Sequence, residues 1–298
     1  MNYENQIITN HFILFTALIL SENAFAQDST ETKKHKWEWD WEFEGFDEWF
    51  NFRMPSISIG YGLTDLEHKK ITDPFSDVNL IDLKLGHTER KTSRYSESLL
   101  KYSYDYLFLD HISSDLAGSS DNTGELNSKT WRVGFGHSKG YGYRMGQAAI
   151  IPYYTTSFEW SKLDFTNPAT NSTDQHLLDR FEDGVRFGTS SEGGLKIVAT
   201  SLVTLEVGYE RTVVFERHLF WKWAGSGIIE AASQGLLDVF IKEIMKSSPA
   251  AGPVVYFVLK SALGYGIYEL RQDKMNWPFK SSAPLSFDSF KFGLTFTF

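Results

Sequence analysis

The chain of 298 residues carries 29 Lys and Arg against 38 Asp and Glu, a formal net charge of −9, and no cysteine. Absent cysteine excludes a disulfide scaffold, a thiolate metal site, a cysteine nucleophile and a lipid-anchored N-terminal cysteine; the acidic balance argues against nucleic acid, whose phosphates need a basic surface. Hydrophobic residues make up 42% and aromatics 16%, with 24 Phe, 14 Tyr and 9 Trp, which rules out a disordered acidic tail.

The N-terminus reads as an export signal. Phe12 to Leu20 form an apolar run of signal-peptide length, too short to span a bilayer as a helix, and a small-x-small site follows at Ala24-Phe25-Ala26. Residues 1–26 are therefore expected to be a signal peptide, although no Lys or Arg precedes the apolar run. Residues 27–55 form an acidic, Trp-rich segment: between Trp37 and Phe50 seven aromatics and six acids occur with no base. Indoles favour the membrane–water interface, so this segment is expected to be periplasmic or interfacial.

Beyond Pro55 the dominant period is two, the signature of strands with two different faces. Ile57, Ile59, Tyr61 and Leu63 alternate with Ser and Gly; Ile81, Leu83 and Leu85 with Asp82, Lys84 and Gly86. The next run sets Leu100, Tyr102, Tyr104, Tyr106 and Phe108 against Lys101, Ser103 and Asp105. Trp131, Val133 and Phe135 follow, then Tyr154, Phe158 and Trp160, then Leu195 and Ile197, then Val203, Leu205, Val207 and Tyr209. Residues 112–129 and 162–182 are long, polar and turn-rich, whereas Thr200-Ser201 is a short turn. Long loops at one end and short turns at the other are the pattern of a membrane β-barrel.

Residues 224–270 break the period. Ile228, Ile229, Ala232, Leu236, Phe240 and Ile244 recur at three and four, which predicts a helical insertion with an apolar stripe, punctuated by Pro249 and Pro253. The stripe of Ile229, Leu236, Phe240 and Ile244 is a candidate surface for a protein or lipid partner. A cap sealing the barrel mouth is the plainer expectation. The run from Val254 to Leu270 has Lys260 near its middle, against a membrane-spanning helix.

The face opposite the aromatics carries Asp82, Lys84, Lys101, Asp105, Arg132, Glu159, Arg186, Lys196, Glu206, Glu210 and Lys291. A near-balanced set of this kind suits the interior of a narrow barrel in which charges pair across the lumen. Unpaired, each would carry a desolvation cost of several kcal/mol.

The last nine residues carry the most specific motif. Phe290, Phe292, Leu294, Phe296 and Phe298 occupy every second place back from a terminal Phe. This resembles the assembly signal of Gram-negative outer-membrane β-barrel proteins. The resemblance implies an all-β, transmembrane, antiparallel up-and-down barrel spanning 56–298, in the outer membrane after cleavage near Ala26. Its implied partners are outer-membrane lipid and, during biogenesis, the barrel-assembly machinery. The residues left after setting aside 27–55 and 216–285 make room for about eight strands, or ten if Val254 to Leu270 are strands.

No catalytic, cofactor or metal site is expected. His137 and Ser138 are adjacent, so on a strand they point to opposite faces and cannot share one site. Glu216 and His218, two apart, are a poor metal signal. The expected role is structural, adhesive or partner-binding, with a lipid-modifying enzyme resembling a lipid A acyl hydrolase, or a small-solute pore, as alternatives.

Overall fold

The computed structural model describes residues 53–119 and 124–298; residues 1–26, expected to be a signal peptide, and most of the Trp-rich segment lie outside the described residues. The strands are β1 (Met54–Glu67), β2 (Val78–Ser93), β3 (Ser96–Ser113), β4 (Ser128–Met145), β5 (Ala148–Phe165), β6 (Val185–Val198), β7 (Val203–Val214) and β8 (Leu285–Thr297). Each pairs antiparallel with its sequence neighbours, and β8 pairs with β1, closing an eight-stranded barrel. Helices are α1 (Ser114–Ala117), α2 (Ser172–Glu182), α3 (Phe220–Ser247) and α4 (Gly252–Asp273). Val254 to Leu270 are helical, which settles the count at eight strands rather than ten.

The register fixes the tilt. Pro55 pairs with His87, His87 with Asp105 and Asp105 with His137; the line continues through Thr156, Ser191, Arg211 and Asp288 to Asp65. One circuit thus returns to β1 ten residues further along, from Pro55 to Asp65. For eight strands this stagger inclines them by about 40° to the barrel axis, leaving an interior that side chains can fill.

Outward positions form an apolar belt that includes Ile59, Leu83, Leu109, Val133, Trp160, Leu205 and Phe292, all exposed. Inward positions are buried and mixed. Towards the short turns the lumen is packed by Tyr102, Tyr104, Tyr106, Phe108 and Ile151; towards the long loops by Leu80, Ile112, Leu163, Val214 and Phe287.

On β3 the two faces are the reverse of expectation. Leu107 is 65% exposed and Leu109 47%, whereas Tyr104 is 1% exposed and Tyr106 7%. Lys101 and Asp105 therefore lie on the outer face, not in the lumen. The cause is steric. A Cβ on inward Gly136 would lie 2.5 Å from the Tyr106 ring, and one on Gly134 2.7 Å from Phe108, so the bare glycines of β4 leave space for the β3 aromatics.

The mouth is not sealed by the helical insertion. Phe181 of α2, in the β5–β6 loop, is wholly buried among Leu66, Val78 and Leu285 and closes that end. One carboxylate holds this loop. Asp174 accepts from the Thr72 backbone N–H at 2.8 Å, the Thr72 hydroxyl at 2.7 Å, the Asp73 N–H at 3.1 Å and the Asn171 amide at 2.9 Å. Burial pushes its pKa up, but these hydrogen bonds outweigh burial and hold it at about 2.

The insertion instead lies along the outside of the wall. Leaving β7 at the long-loop end, α3 runs to the short-turn end, where the chain turns at Ser248–Ala251 and α4 returns. Pro253 in the first turn of α4 needs no donor partner there. The tip is fixed by the Tyr143 hydroxyl, which donates to the Ala250 carbonyl at 2.6 Å, and by Tyr141 packed edge-on to Tyr256. Tyr141 and Tyr143 share the outward face of β4 with Trp131, Val133 and Phe135. At the other end Trp223 of α3 packs on outward-facing Phe158 and Phe187.

Candidate functional site

Three places in the described structure bring chemistry-bearing side chains together. The first is the lumen. Asp82, Lys84, Arg132, Glu159, Lys196, Glu206, Glu210 and Lys291 all point into it, joined by Asp110 and Glu192. Near the short-turn end Lys196 pairs with Glu206 at 2.6 Å, and the Thr295 hydroxyl donates to the same carboxylate. At mid-height Lys291 lies 2.7 Å from Asp82 and 2.9 Å from Glu210, while Lys84 lies 3.4 Å from Asp82. Above them Arg132 reaches Asp110 at 2.6 Å, Glu210 at 2.9 Å and Glu159 at 3.5 Å. Arg186 points inward but sits at the rim, donating to the Asp183 carbonyl at 2.6 Å and the Phe181 carbonyl at 3.3 Å.

Asp110 and Glu192 were missed by alternation. Asp110 shares the inverted face of β3 with its tyrosines, and Glu192 stands in a Ser-Ser-Glu-Gly-Gly stretch with no apolar partner to mark its parity. Glycine was the available signal: inward Gly208 leaves room for Glu192, whose Oε1 would lie 2.7 Å from an added Cβ. Among these charges the free volume is about 10 Å³, close to the minimum for one water. Apolar packing lies at both ends of this charged layer.

The second place is the outer wall near the short-turn end. His137 and Asp105 are hydrogen-bonded there, and Arg53 donates to the other Asp105 oxygen at 2.6 Å. Ser138 is buried on the lumen side of β4. Among the described residues no serine hydroxyl is hydrogen-bonded to His137, so the arrangement is an ion-pair cluster without a nucleophile. At the opposite end His111 stacks on Trp131 at 4.3 Å; Glu216 pairs with Arg180 at 3.4 Å, and His218 packs edge-on against Phe187.

The third place is the seam between the helices and the wall. The tilt carries the outward row of polar residues diagonally. His87, Asp105 and His137 lie at the short-turn border of the belt, and Arg211, Asp288 and Asp65 at the long-loop border. On β5 and β6 the row crosses the belt at Thr156 and Ser191, beside Tyr154, Thr189 and Gly193. Helix α4 packs over β4 to β7, at this crossing. A Cβ on Gly264 would lie 2.3 Å from the Tyr154 hydroxyl, so glycine lets the helix approach the wall.

Charges inside the hairpin are paired. Lys260 lies 2.5 Å from Asp238 and donates to the Gln234 carbonyl at 3.2 Å; Arg271 lies 2.9 Å from Glu230 and 3.2 Å from the Ser226 hydroxyl. No described helix is long and apolar enough to cross a membrane. Ile229, Leu236 and Phe240 are exposed on α3, and Ile244 is half-buried.

No family model matches the chain, and no curated protein matches it. Solved structures similar to it include neisserial surface protein A, at 8% identity and a TM-score of 0.39, covering 82% of this chain and 97% of that one. The attachment invasion locus protein Ail of Yersinia pestis is similar at 8% identity and a TM-score of 0.30, covering 83% of this chain and 99% of that one. An even number of antiparallel strands closes on itself, with an apolar belt outside and paired charges within. The chain is a closed antiparallel β-barrel of eight strands with an apolar outer belt and a helical hairpin before the last.

Proposed function

We propose that the protein is a non-conducting barrel with a structural or adhesive role, acting through its long-loop end. The observation that carries this reading is the filled lumen: around Asp82, Lys84, Glu192, Glu206 and Lys291 only about 10 Å³ is free, and apolar side chains pack both ends. Support comes from the long-loop end, where Asp174 ties the β1–β2 loop to α2 and Phe181 seats α2 in the mouth, giving a fixed surface rather than loose loops. The stripe of Ile229, Leu236, Phe240 and Ile244 runs along a hairpin laid on the belt, so lipid is the partner its position favours. The terminal Phe290 to Phe298 alternation supports engagement with the barrel-assembly machinery during biogenesis.

Planar-bilayer recording of the refolded protein tests the reading. Expected is no single-channel conductance from the native chain, and loss of cell-surface binding when residues 166–184 are replaced by a short linker. Discrete conductance steps in the native chain would overturn it.

A further inference from the structure

Between α4 and the outward face of β5 to β7 lies a cavity of about 200 Å³, lined among others by Tyr154, Ser191, Tyr209, Arg211, Ser261 and Tyr265. It exceeds the roughly 150 Å³ that holds a benzene ring but falls short of the roughly 300 Å³ of a drug-sized site, so it suits a head group or part of a chain. Its one charge is Arg211. The guanidinium lies 4.6 Å from the rings of both Tyr209 and Tyr265, which hold it in place by cation–π contact. Among the described residues the Arg211 guanidinium forms no ion pair within 4.0 Å and donates no hydrogen bond.

Asp288, its neighbour on β8, forms no ion pair with it within 4.0 Å, and its Oδ1 is buried without a hydrogen-bond partner among the described residues. Ser261 presents a buried hydroxyl with no partner among the described residues. Arg211 stands three residues from the long-loop end of β7, at the border of the belt, where lipid head groups lie. A planar fork of donors beside hydroxyls matches a phosphate.

We propose that this crevice binds the phosphate of an amphiphile, with Arg211, Ser191 and Ser261 on the phosphate oxygens and the chain lying along α4. The site is independent of the adhesive reading, since it uses the wall and α4 and none of the surface loops.

Native mass spectrometry on the refolded full chain in dodecyl maltoside tests it, with dodecyl phosphate and inorganic phosphate as probes. Expected is one saturable dodecyl phosphate per chain. Arg211→Gln should weaken binding tenfold or more, Ser261→Phe should abolish it by filling the cavity, and Lys222→Gln should leave it unchanged. Heat-modifiable gel mobility checks that each variant is folded; should Arg211→Gln fail that check, Ser261→Phe and Arg211→Lys carry the test. Displacement by inorganic phosphate alone would assign the site to the free anion, and resistance to displacement to a lipid head group. Absence of a saturable complex, or equal binding by native protein and the folded Ser261→Phe variant, would overturn the proposal.

Discussion

Arg132 on β4 and Glu210 on β7 meet across the lumen at 2.9 Å, and the same guanidinium nitrogen lies 2.6 Å from Asp110 on β3. With Glu159 of β5 at 3.5 Å, one side chain thus ties four strands through the lumen, and its removal strands buried carboxylates. Arg132→Gln should lower stability by about 3–5 kcal/mol, the usual cost of breaking a buried ion pair from one side. Lys69→Gln, which removes an exposed pair with Asp273, should cost no more than about 1 kcal/mol. Urea midpoints of the refolded proteins decide the matter, and equal midpoints would refute a paired lumen.

Glu206→Lys makes the complementary test near the other end. It places like charge against Lys196, now 2.6 Å from Glu206, whereas Thr204→Ser keeps the hydroxyl and should change stability by less than about 1 kcal/mol. A folded Glu206→Lys barrel with an unchanged midpoint would show that the lumen tolerates unpaired charge.

Replacing 216–284 by a Gly-Ser linker should leave every wall hydrogen bond possible yet uncover Thr189, Ser191, Gly193 and Arg211 to lipid. The guanidinium alone costs from about 0–1 kcal/mol at the interface to about 2–4 at the midplane. The shortened barrel should fold in detergent, but its urea midpoint in bilayers should fall below that of the native chain. An unchanged midpoint in bilayers would mean that the hairpin adds nothing to the wall.

With no native cysteine, single cysteines report topology directly. Ser247→Cys, near the hairpin tip beside Tyr143 and Ala250, should react with an impermeant maleimide only after the outer membrane is broken; Thr170→Cys, at the long-loop end, should react on intact cells. Labelling of both on intact cells would place the whole hairpin outside.

The Asp174 hub sets an acid limit on the surface loops. Its folded pKa of about 2 lies below the ordinary 3.8, so its stabilisation is complete above about pH 4 and is lost as the pH falls towards 2. Asp174→Asn should make the β1–β2 and β5–β6 loops susceptible to protease at neutral pH, with the difference from the native chain vanishing near pH 2. Identical proteolysis at pH 7 would remove Asp174 from this role.

Most strand faces were legible because a barrel wall in lipid enforces alternation at each residue, and β1, β2, β4, β7 and β8 obey it. On β3 the rule failed because an aromatic serves either face. Tyr106 fills the lumen beside Gly136 as readily as another tyrosine would sit at an interface, and only the glycine on the neighbouring strand distinguishes the two. The hairpin was legible as helix from its spacing. Its place was not, because the polar crossing at Ser191 and Gly193 that it covers exists only once eight strands have been set in register.

Seen down the membrane normal, the molecule has two unlike flanks. On the arc from β4 to β7 the bilayer meets helices, while from β8 through β1 to β3 it meets bare pleated wall. A neighbour diffusing in the membrane therefore approaches a splinted side and a smooth side. Close lateral packing of strand against strand, barrel to barrel, is open only to the smooth one.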